Sequence, residues 1–125
     1  MFKPNLLIVD DDSRNIFALK AILRAKGFNC LSAASAREAL ALLENSTPVD
    51  AVLLDMMMPD MDGYEALPHI KAIEKLRNMP VLAVTAQAMT GDREKCLAAG
   101  ADDYVSKPID VDKLLEILAK YNIRP

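Results

Sequence analysis

Polar residues follow four short apolar segments of this chain, and their types suit phosphoryl and metal chemistry. Asp10 and Asp11 come directly after LLIV, Asp55 after AVLL, Thr85 after VLAV, and Lys107 after YVS. Segments of this kind are typical of parallel strands that are buried on both faces. Because the functional groups of open parallel sheets gather at the carboxyl ends of the strands, we expect these side chains to converge. The sequence therefore predicts one polar site at one edge of a sheet.

The predicted site combines acidic groups with an amine and a hydroxyl. Mg²⁺ prefers oxygen ligands and is usually held by one or two carboxylates together with phosphate oxygens and water. Asp11 and Asp55 suit direct ligation, and Asp10 suits ligation either directly or through water. Asp55 is also a candidate nucleophile, since carboxylates accept phosphoryl groups as acyl phosphates. Lys107 offers a compact positive charge to one phosphate oxygen, and Thr85 offers a hydroxyl donor to another.

Each of these residues also has a simpler interpretation. The acidic run from Asp10 to Asp12 could cap the helix that follows it, because acidic groups are favoured at helix N-termini. Lys107 could be an ordinary surface lysine, and Thr85 a β-branched strand residue. An acidic run is usually a solvated surface, and we expect Asp12 and Asp60 to be exposed.

Apolar segments alternate with amphipathic segments about five times, which predicts a single doubly wound α/β domain with a parallel sheet. Gly27 ends the first predicted helix, Ser35 with Glu38 forms a capping-box pattern at the second, and Asp110 caps the last. With no linker or repeat in the sequence, we expect one domain over residues 1–125. The predicted strands are residues 5–9, 29–33, 50–54, 80–84 and 101–105.

Two of the predicted helices are irregular. Pro68 falls inside the third, where proline removes a backbone donor and disfavours the helical conformation of the residue before it. We expect a first turn near Tyr64, capped by Asp62, followed either by a kink or by a fresh start at Pro68. Gly91 interrupts the fourth helix, whose apolar side is sparse, so tertiary contacts must hold it. A weak element of this kind is suited to move.

Size and composition restrict the classes of function. The chain has 125 residues, 52% of them hydrophobic and 26% charged, which is an ordinary globular balance. The net charge of -3 provides no basic patch, so we expect no direct nucleic-acid partner. No apolar run approaches the roughly 20 residues of a membrane span, so we expect no membrane partner. Cys30 and Cys96 lack metal-ligand spacing and no secretion signal precedes them, which favours reduced thiols in a cytoplasmic protein.

The chain resembles the response-regulator receiver domains of two-component signalling, the chemotaxis regulators among them, over residues 5–121. The motifs that carry the resemblance are the pair Asp10-Asp11, the turn from Asp55 to Pro59 followed by Met61-Asp62-Gly63, Thr85-Ala86, and Lys107-Pro108. Each motif alone is weak, whereas all of them in this order and spacing are specific. The resemblance implies a flavodoxin-like sheet of five parallel strands in the order 2-1-3-4-5.

The resemblance also implies that Asp55 is the phosphoacceptor. The donor would be the phosphohistidine of a sensor histidine kinase or a histidine phosphotransfer protein, and the Lys107-Pro108 bond would be cis. The domain would catalyse its own phosphorylation and, with water and Mg²⁺, its own dephosphorylation, so we expect no separate turnover substrate. Mg²⁺ would be held by Asp10, Asp11, Asp55 and the backbone carbonyl of Met57.

The same resemblance implies a conformational switch and two positions that tune the phosphoryl lifetime. Thr85 would move toward the phosphoryl group and Tyr104 would turn inward behind it, although Tyr104 could simply be an aromatic packed at a strand end. The change would re-shape the face of the fourth helix, fifth strand and fifth helix, where a downstream protein partner would bind. Met57 and Gln87 occupy the lifetime positions. A thioether cannot orient an attacking water, whereas an amide can.

Two other functions stay open. A Mg²⁺-dependent aspartyl-phosphate hydrolase commonly carries a second carboxylate two residues after its nucleophile, where this chain has Met57. Such an enzyme also needs a cap or insertion that holds its substrate. A receiver-like module that binds partners without phosphorylation is the other alternative, although every key residue is present. A receiver could stand alone, or belong to a longer regulator or a hybrid histidine kinase.

Overall fold

The computed structural model describes residues 3–45, 47–86 and 91–125, and in these residues it contains one five-stranded parallel sheet. The strands are β1 (Asn5–Val9), β2 (Asn29–Ala33), β3 (Ala51–Asp55), β4 (Val81–Thr85) and β5 (Asp103–Ser106). They lie side by side in the order β2-β1-β3-β4-β5. The predicted α/β class and strand order are therefore confirmed.

Helices connect the strands and cover both faces of the sheet. Within the described ranges they are α1 (Ser13–Ala25), α2 (Ala36–Glu44), α3 (Gly63–Lys71), α4 (Asp92–Ala98) and α5 (Val111–Lys120), with a short 3-10 turn at Glu74–Leu76. None of these helices is both long and apolar enough to cross a membrane.

Side-chain caps determine where α1 and α5 begin. Asp12 accepts hydrogen bonds from the backbone N–H groups of Arg14 and Asn15, at 2.9 and 3.4 Å. Asp110 accepts one from the N–H of Lys113 at 3.3 Å. Each bond satisfies a donor that has no partner inside the helix. Of the acidic run, Asp12 is therefore the residue that caps α1.

At the starts of α2 and α3, the cap side chain accepts a backbone N–H of the first turn. A glutamate of that turn in return accepts a backbone N–H at or just before the cap. The hydroxyl of Ser35 accepts from the N–H of Glu38 at 3.1 Å, and the Glu38 carboxylate accepts from the N–H of Ala34 at 3.0 Å. This return bond lies one residue before the one that a capping box makes. Asp62 and Glu65 form the complete capping box at the start of α3, which confirms that Asp62 is the cap.

Several details of the predicted elements are wrong. Of the two alternatives at Pro68, the fresh start is wrong, because α3 continues through that residue. Gly91 precedes α4 instead of interrupting it, and its φ of 89° lies in the left-handed region that glycine adopts most readily. Both β3 and β4 end one residue later than predicted, at Asp55 and Thr85, and β5 begins at Asp103. Asp55 and Thr85 are therefore the last residues of their strands.

The sheet separates two buried apolar clusters. One includes Leu54, Leu67 and Cys96 and lies on the side of α2, α3 and α4. The other includes Leu53 and Leu118 and lies on the side of α1 and α5. Full burial of a leucine side chain contributes about 1.5–3 kcal/mol. Both faces of the central strands are packed in this way, which holds the strand ends in fixed positions.

Candidate functional site

The residues predicted to form one site lie together at the carboxyl ends of neighbouring strands. Asp10 and Asp11 follow β1, Asp55 ends β3, Thr85 ends β4, and Lys107 follows β5. The side chains of Asp10, Asp55 and Thr85 are buried, with 7%, 4% and 1% of their residue surface exposed. Asp11 is exposed. The site is therefore mostly buried and opens to solvent at one carboxylate.

Lys107 joins the two buried carboxylates. Its Nζ lies 3.2 Å from Asp55 Oδ2 and 3.3 Å from Asp10 Oδ2. Its backbone N–H donates a 2.7 Å hydrogen bond to the carbonyl of Thr85. The Lys107-Pro108 peptide bond is cis, as the family resemblance predicts. Lys107 is therefore not an ordinary surface lysine.

The second oxygen of each buried carboxylate is held by the backbone two residues further on. Asp55 Oδ1 accepts the N–H of Met57 at 2.9 Å, and Asp10 Oδ1 accepts the N–H of Asp12 at 2.8 Å. Aspartates commonly make such local bonds at turns. The two carboxylates are thus oriented before any ligand arrives.

Three carboxylates are close enough to share one cation. Ligand oxygens of Asp10, Asp11 and Asp55 all lie within 4.8 Å of one another. Mg²⁺ binds oxygens at about 2.1 Å, so opposite ligands of one ion are about 4.2 Å apart. Small movements of the side chains would therefore bring all three carboxylates into contact with one ion. Three acidic groups and one amine also leave a net negative charge, so this set of oxygen donors fits Mg²⁺.

Burial and the neighbouring charges act on the ionisable groups in opposite directions. Burial raises the pKa of Asp55, the hydrogen bond from Met57 and the ammonium of Lys107 oppose that rise, and the charge of Asp10 adds to it. For Lys107, burial lowers the pKa, but the two carboxylates together outweigh it and the net pKa is raised. The lysine therefore stays cationic, while the net effect on Asp55 is a raised pKa, with burial as the largest cause.

Thr85 and Tyr104 lie on the same face of the sheet. Tyr104 pairs with Ala83 across β4 and β5, and Thr85 is two residues beyond Ala83. Because side chains alternate along a strand, all three point toward the side of α4. Ala83 is fully buried and has only a methyl group, so no large side chain of β4 lies directly beside Tyr104. The sequence prediction did not recognise this small residue.

The methionines around Asp55 differ sharply in exposure. Met56 is fully buried and Met58 nearly so, whereas Met57 is 54% exposed. The side chain of Met57 is thus open to solvent, and its role in the phosphoryl lifetime stays a prediction. The predicted role of its backbone carbonyl stays a prediction. Gln87, the other lifetime position, lies outside the described residues.

Two further features escaped the sequence prediction. Gly63, which begins α3, lies so close to the end of β3 that an added Cβ would overlap Met56 and come within 3.0 Å of the Asp55 carbonyl oxygen. A glycine directly after the Asp62 cap was the signal for this close approach. Asp60 is exposed as expected, but it also pairs with Arg37 on α2 at 2.9 Å.

An apolar cavity of about 430 Å³ borders the site between α1 and the connection from β5 to α5. Asp10 and Lys107 lie among its polar lining, and Leu19, Ile22 and Ile109 are among its apolar walls. Ile22 is 42% exposed, so this side of α1 is only partly packed against the rest of the chain. The cavity therefore lies directly beside Asp10 and Lys107 on the α1 side of the site.

Comparison with known proteins gives one consistent result. A family model described as the response regulator receiver domain matches residues 6–119. The polar-differentiation response regulator DivK of Brucella ovis is 36% identical over 117 residues, which cover 94% of this chain and 94% of DivK.

Two solved structures are similar over nearly the whole chain. The receiver domain of a sensor histidine kinase from Pseudomonas aeruginosa, with a magnesium ion coordinated in its active-site cleft, matches with a TM-score of 0.86 and 37% identity over 96% of this chain and 98% of its own. A co-crystal structure of a Saccharomyces cerevisiae histidine phosphotransfer signalling protein and the receiver domain of its downstream response regulator matches with a TM-score of 0.85 and 26% identity, over 95% of this chain and 88% of the other. Sequence and fold are thus similar to one group of proteins.

Proposed function

The chain belongs to the response regulator receiver domain family, and we propose on this basis that it accepts a phosphoryl group on Asp55. Receiver domains are signalling proteins of two-component systems and not enzymes with a separate turnover substrate. The proposed donor is the phosphohistidine of a sensor histidine kinase or a histidine phosphotransfer protein. We further propose that residues 1–125 form one receiver domain, either alone or within a longer regulator or hybrid histidine kinase.

The arrangement of Lys107 is the observation that carries this proposal. Its ammonium lies between Asp10 and Asp55, at the point where a phosphoryl oxygen on Asp55 would need a positive partner. A simple structural ion pair would need only one carboxylate. The exposed Asp11 beside the buried pair adds the third acid of a cation site.

The proposed transfer is a direct displacement at phosphorus. A carboxylate oxygen of Asp55 attacks, a P–O bond forms, and the P–N bond to the donor imidazole breaks. The electron pair of that bond returns to the imidazole nitrogen, and a ring protonated on its other nitrogen leaves as neutral histidine. Lys107 stabilises one phosphoryl oxygen and the Thr85 hydroxyl donates to another, so the charge that develops meets fixed partners.

Asp10, Asp11, Asp55 and the Met57 carbonyl would hold Mg²⁺, which supplies charge neutralisation between the carboxylate and the phosphoryl group. Dephosphorylation is a separate displacement, in which water attacks phosphorus, the acyl P–O bond breaks, and the Asp55 carboxylate is restored with release of inorganic phosphate. Because the same residues serve both reactions, the domain would catalyse its own phosphorylation and dephosphorylation.

The switch that we propose couples the site to a protein partner. Thr85 moves toward the phosphoryl group and Tyr104 turns inward on the same sheet face, which alters the surface of α4, β5 and α5. Tyr104 is only partly buried, so it has room to become more so. We expect a downstream protein at this surface, neither nucleic acid nor membrane as a direct partner, and a cytoplasmic location with Cys30 and Cys96 as free thiols.

Intact-mass measurement with acetyl phosphate and Mg²⁺ tests the proposal. We expect one added phosphoryl group, which a chelator suppresses. Sustained release of phosphate from added phosphate esters, with no protein adduct, would instead identify a hydrolase. A complete lack of adduct would identify a module that binds without phosphorylation.

Loss of the Thr85 hydroxyl should uncouple the site from the distant surface. With beryllofluoride and Mg²⁺ as the phosphoryl mimic, amide NMR signals of residues 86–99 and 102–107 should shift in the wild type, although residues 87–90 lie outside the described part of the chain. Residues 35–44, over the opposite edge of the sheet, should move little. Thr85→Ala should still accept phosphate but show much smaller shifts around Tyr104, whereas Thr85→Ser should keep them. Shifts confined to the loops at Asp11 and Asp55 would mean that the domain is a relay without a conformational switch.

The exposed side chain of Met57 should influence the lifetime of the phosphoryl group. Met57→Asn is expected to lose phosphate faster, because an amide can hold an attacking water near Asp55 and a thioether cannot. Met57→Leu keeps an apolar group of similar size and should decay as the wild type does. Decay followed by intact mass after removal of the donor measures both. Equal rates in all three proteins would show that Met57 does not face the path of the water.

A further inference from the structure

A buried carboxylate at the start of α4 has one oxygen without a hydrogen-bond partner. Asp92 is the first residue of α4 and is only 7% exposed. Its Oδ2 is buried and, throughout the part of the chain that the structure describes, it is the one such side-chain atom that accepts no hydrogen bond. Burying a carboxylate oxygen without a donor costs free energy, so such atoms in native proteins usually have a partner in some state.

Two tyrosines pack on the side of the sheet that α4 covers. Asp92 and Cys96 are one helical turn apart on α4, and Cys96 is fully buried against α3 and the sheet. Tyr64 on α3 and Tyr104 on β5 both pack against the same buried cluster. Burial raises the pKa of both tyrosines, and the charge of Asp92 raises both further. Asp92 therefore lies on the side of the sheet that also holds these two tyrosines, near enough for its charge to act on both.

The hydroxyl and the ring of Tyr64 each have another partner. Its hydroxyl lies 3.7 Å from Cys96 Sγ, and its ring lies under the ammonium of Lys95, which is 4.6 Å from the ring centroid. These contacts of its hydroxyl and its ring with α4 hold Tyr64 between α3 and α4. Tyr104 is the tyrosine that turns inward in the proposed switch, toward the side on which Asp92 is buried.

We propose that Asp92 Oδ2 accepts a hydrogen bond from the hydroxyl of Tyr104 in the phosphorylated domain. This bond would link α4 to β5 only in the switched state. The inference rests on the proposed function, because it supplies the second half of the Tyr104 movement. Ala83 supports it, since the small side chain beside Tyr104 leaves the inward path open. In the resting protein Oδ2 lacks a donor, and in the switched protein it gains one. Asp92 thereby biases the equilibrium toward the switched state and positions Tyr104 without touching the phosphoryl group.

Fluorine NMR on the intact domain tests the pair directly. The chain contains three tyrosines, so 3-fluorotyrosine labelling gives three signals, which Tyr→Phe variants assign. Beryllofluoride with Mg²⁺ should move the Tyr104 signal in the wild type, and Asp92→Leu should abolish most of that movement. By linkage, Asp92→Leu and Tyr104→Phe should each weaken mimic binding about ten-fold, the order expected for a hydrogen bond to a charged group. The double variant should bind no more weakly than either single variant.

The controls separate this pair from other causes. Tyr64→Phe removes the neighbouring hydroxyl and should leave the effect of Asp92→Leu unchanged. Asp92→Asn keeps an oxygen acceptor and should retain most of the Tyr104 response, whereas Asp92→Ala removes the acceptor and carries the same double-variant test if Asp92→Leu folds poorly. A Tyr104 signal that moves normally in Asp92→Leu, or losses that multiply to about a hundred-fold in the double variant, would overturn the pair. Failure of the wild type to bind the mimic would overturn the proposed function and the pair together.

Discussion

Asp55→Asn is expected to abolish phosphoryl uptake altogether. Asparagine has nearly the shape of aspartate, so the hydrogen bond from the Met57 N–H and the packing at the end of β3 should survive. The amide oxygen, however, is a poor nucleophile and cannot form the acyl phosphate. Intact mass after incubation with acetyl phosphate and Mg²⁺ should show the unmodified chain only.

Asp60→Asn is the matched control for this loss. Asp60 lies in the same connection between β3 and α3, but its side chain is exposed and pairs with Arg37 on the surface. This variant should take up one phosphoryl group as the wild type does. Labelling of Asp55→Asn at the wild-type level would show that another residue accepts phosphate.

Asp11→Asn should weaken Mg²⁺ binding at least about ten-fold, since altering even the outer partners of metal ligands typically costs 10–100-fold. Asp11 is the exposed member of the acidic cluster and makes no ion pair with Lys107 among the contacts described. Its loss should therefore leave the ion pairs of Asp10 and Asp55 in place. Titration calorimetry is the suitable measurement, because the chain contains no tryptophan.

Asp12→Asn makes the same change of charge one residue away. Asparagine caps helices as well as aspartate does, so α1 should keep its N-terminal hydrogen bonds. Mg²⁺ affinity should change little.

In metal-free buffer Asp11→Asn should unfold at the same temperature as the wild type or slightly above it, because crowded carboxylates repel one another. A substantial loss of metal-free stability in Asp11→Asn would mean that the acid is structural.

The sheet and the convergence of the site residues were predictable because they follow from short-range patterns. Buried parallel strands demand continuous apolar segments, and those of β1, β3 and β4 are unbroken in the sequence. Once the strand order is known, Asp10, Asp55, Thr85 and Lys107 must meet, since each lies at the same end of a neighbouring strand. The caps Ser35, Asp62 and Asp110 were recognisable for the same local reason, whereas at α1 the sequence offered only the acidic run from Asp10 to Asp12.

The features that escaped prediction depend on tertiary contacts. Pro68 sits in a continuous α3 because the capping box at Asp62 and the burial of Leu67 and Ile70 hold the helix on both sides of it. Asp92 reads as an ordinary acidic residue at a helix start, and only the packing of α4 against α3 and β5 shows that it is buried. The shared contact of Lys107 with two carboxylates likewise depends on where its side chain points.

The ion pairs of Lys107 have a consequence for the reorganisation that the reaction requires. In the resting protein the ammonium already touches both Asp10 and Asp55, and its backbone is tied to Thr85 at the next strand end. If Asp55 accepts a phosphoryl group as proposed, the lysine would exchange carboxylate oxygens for phosphoryl oxygens over a short distance. The ordering of these groups is carried out once, as the chain folds, and is not repeated each time a donor arrives.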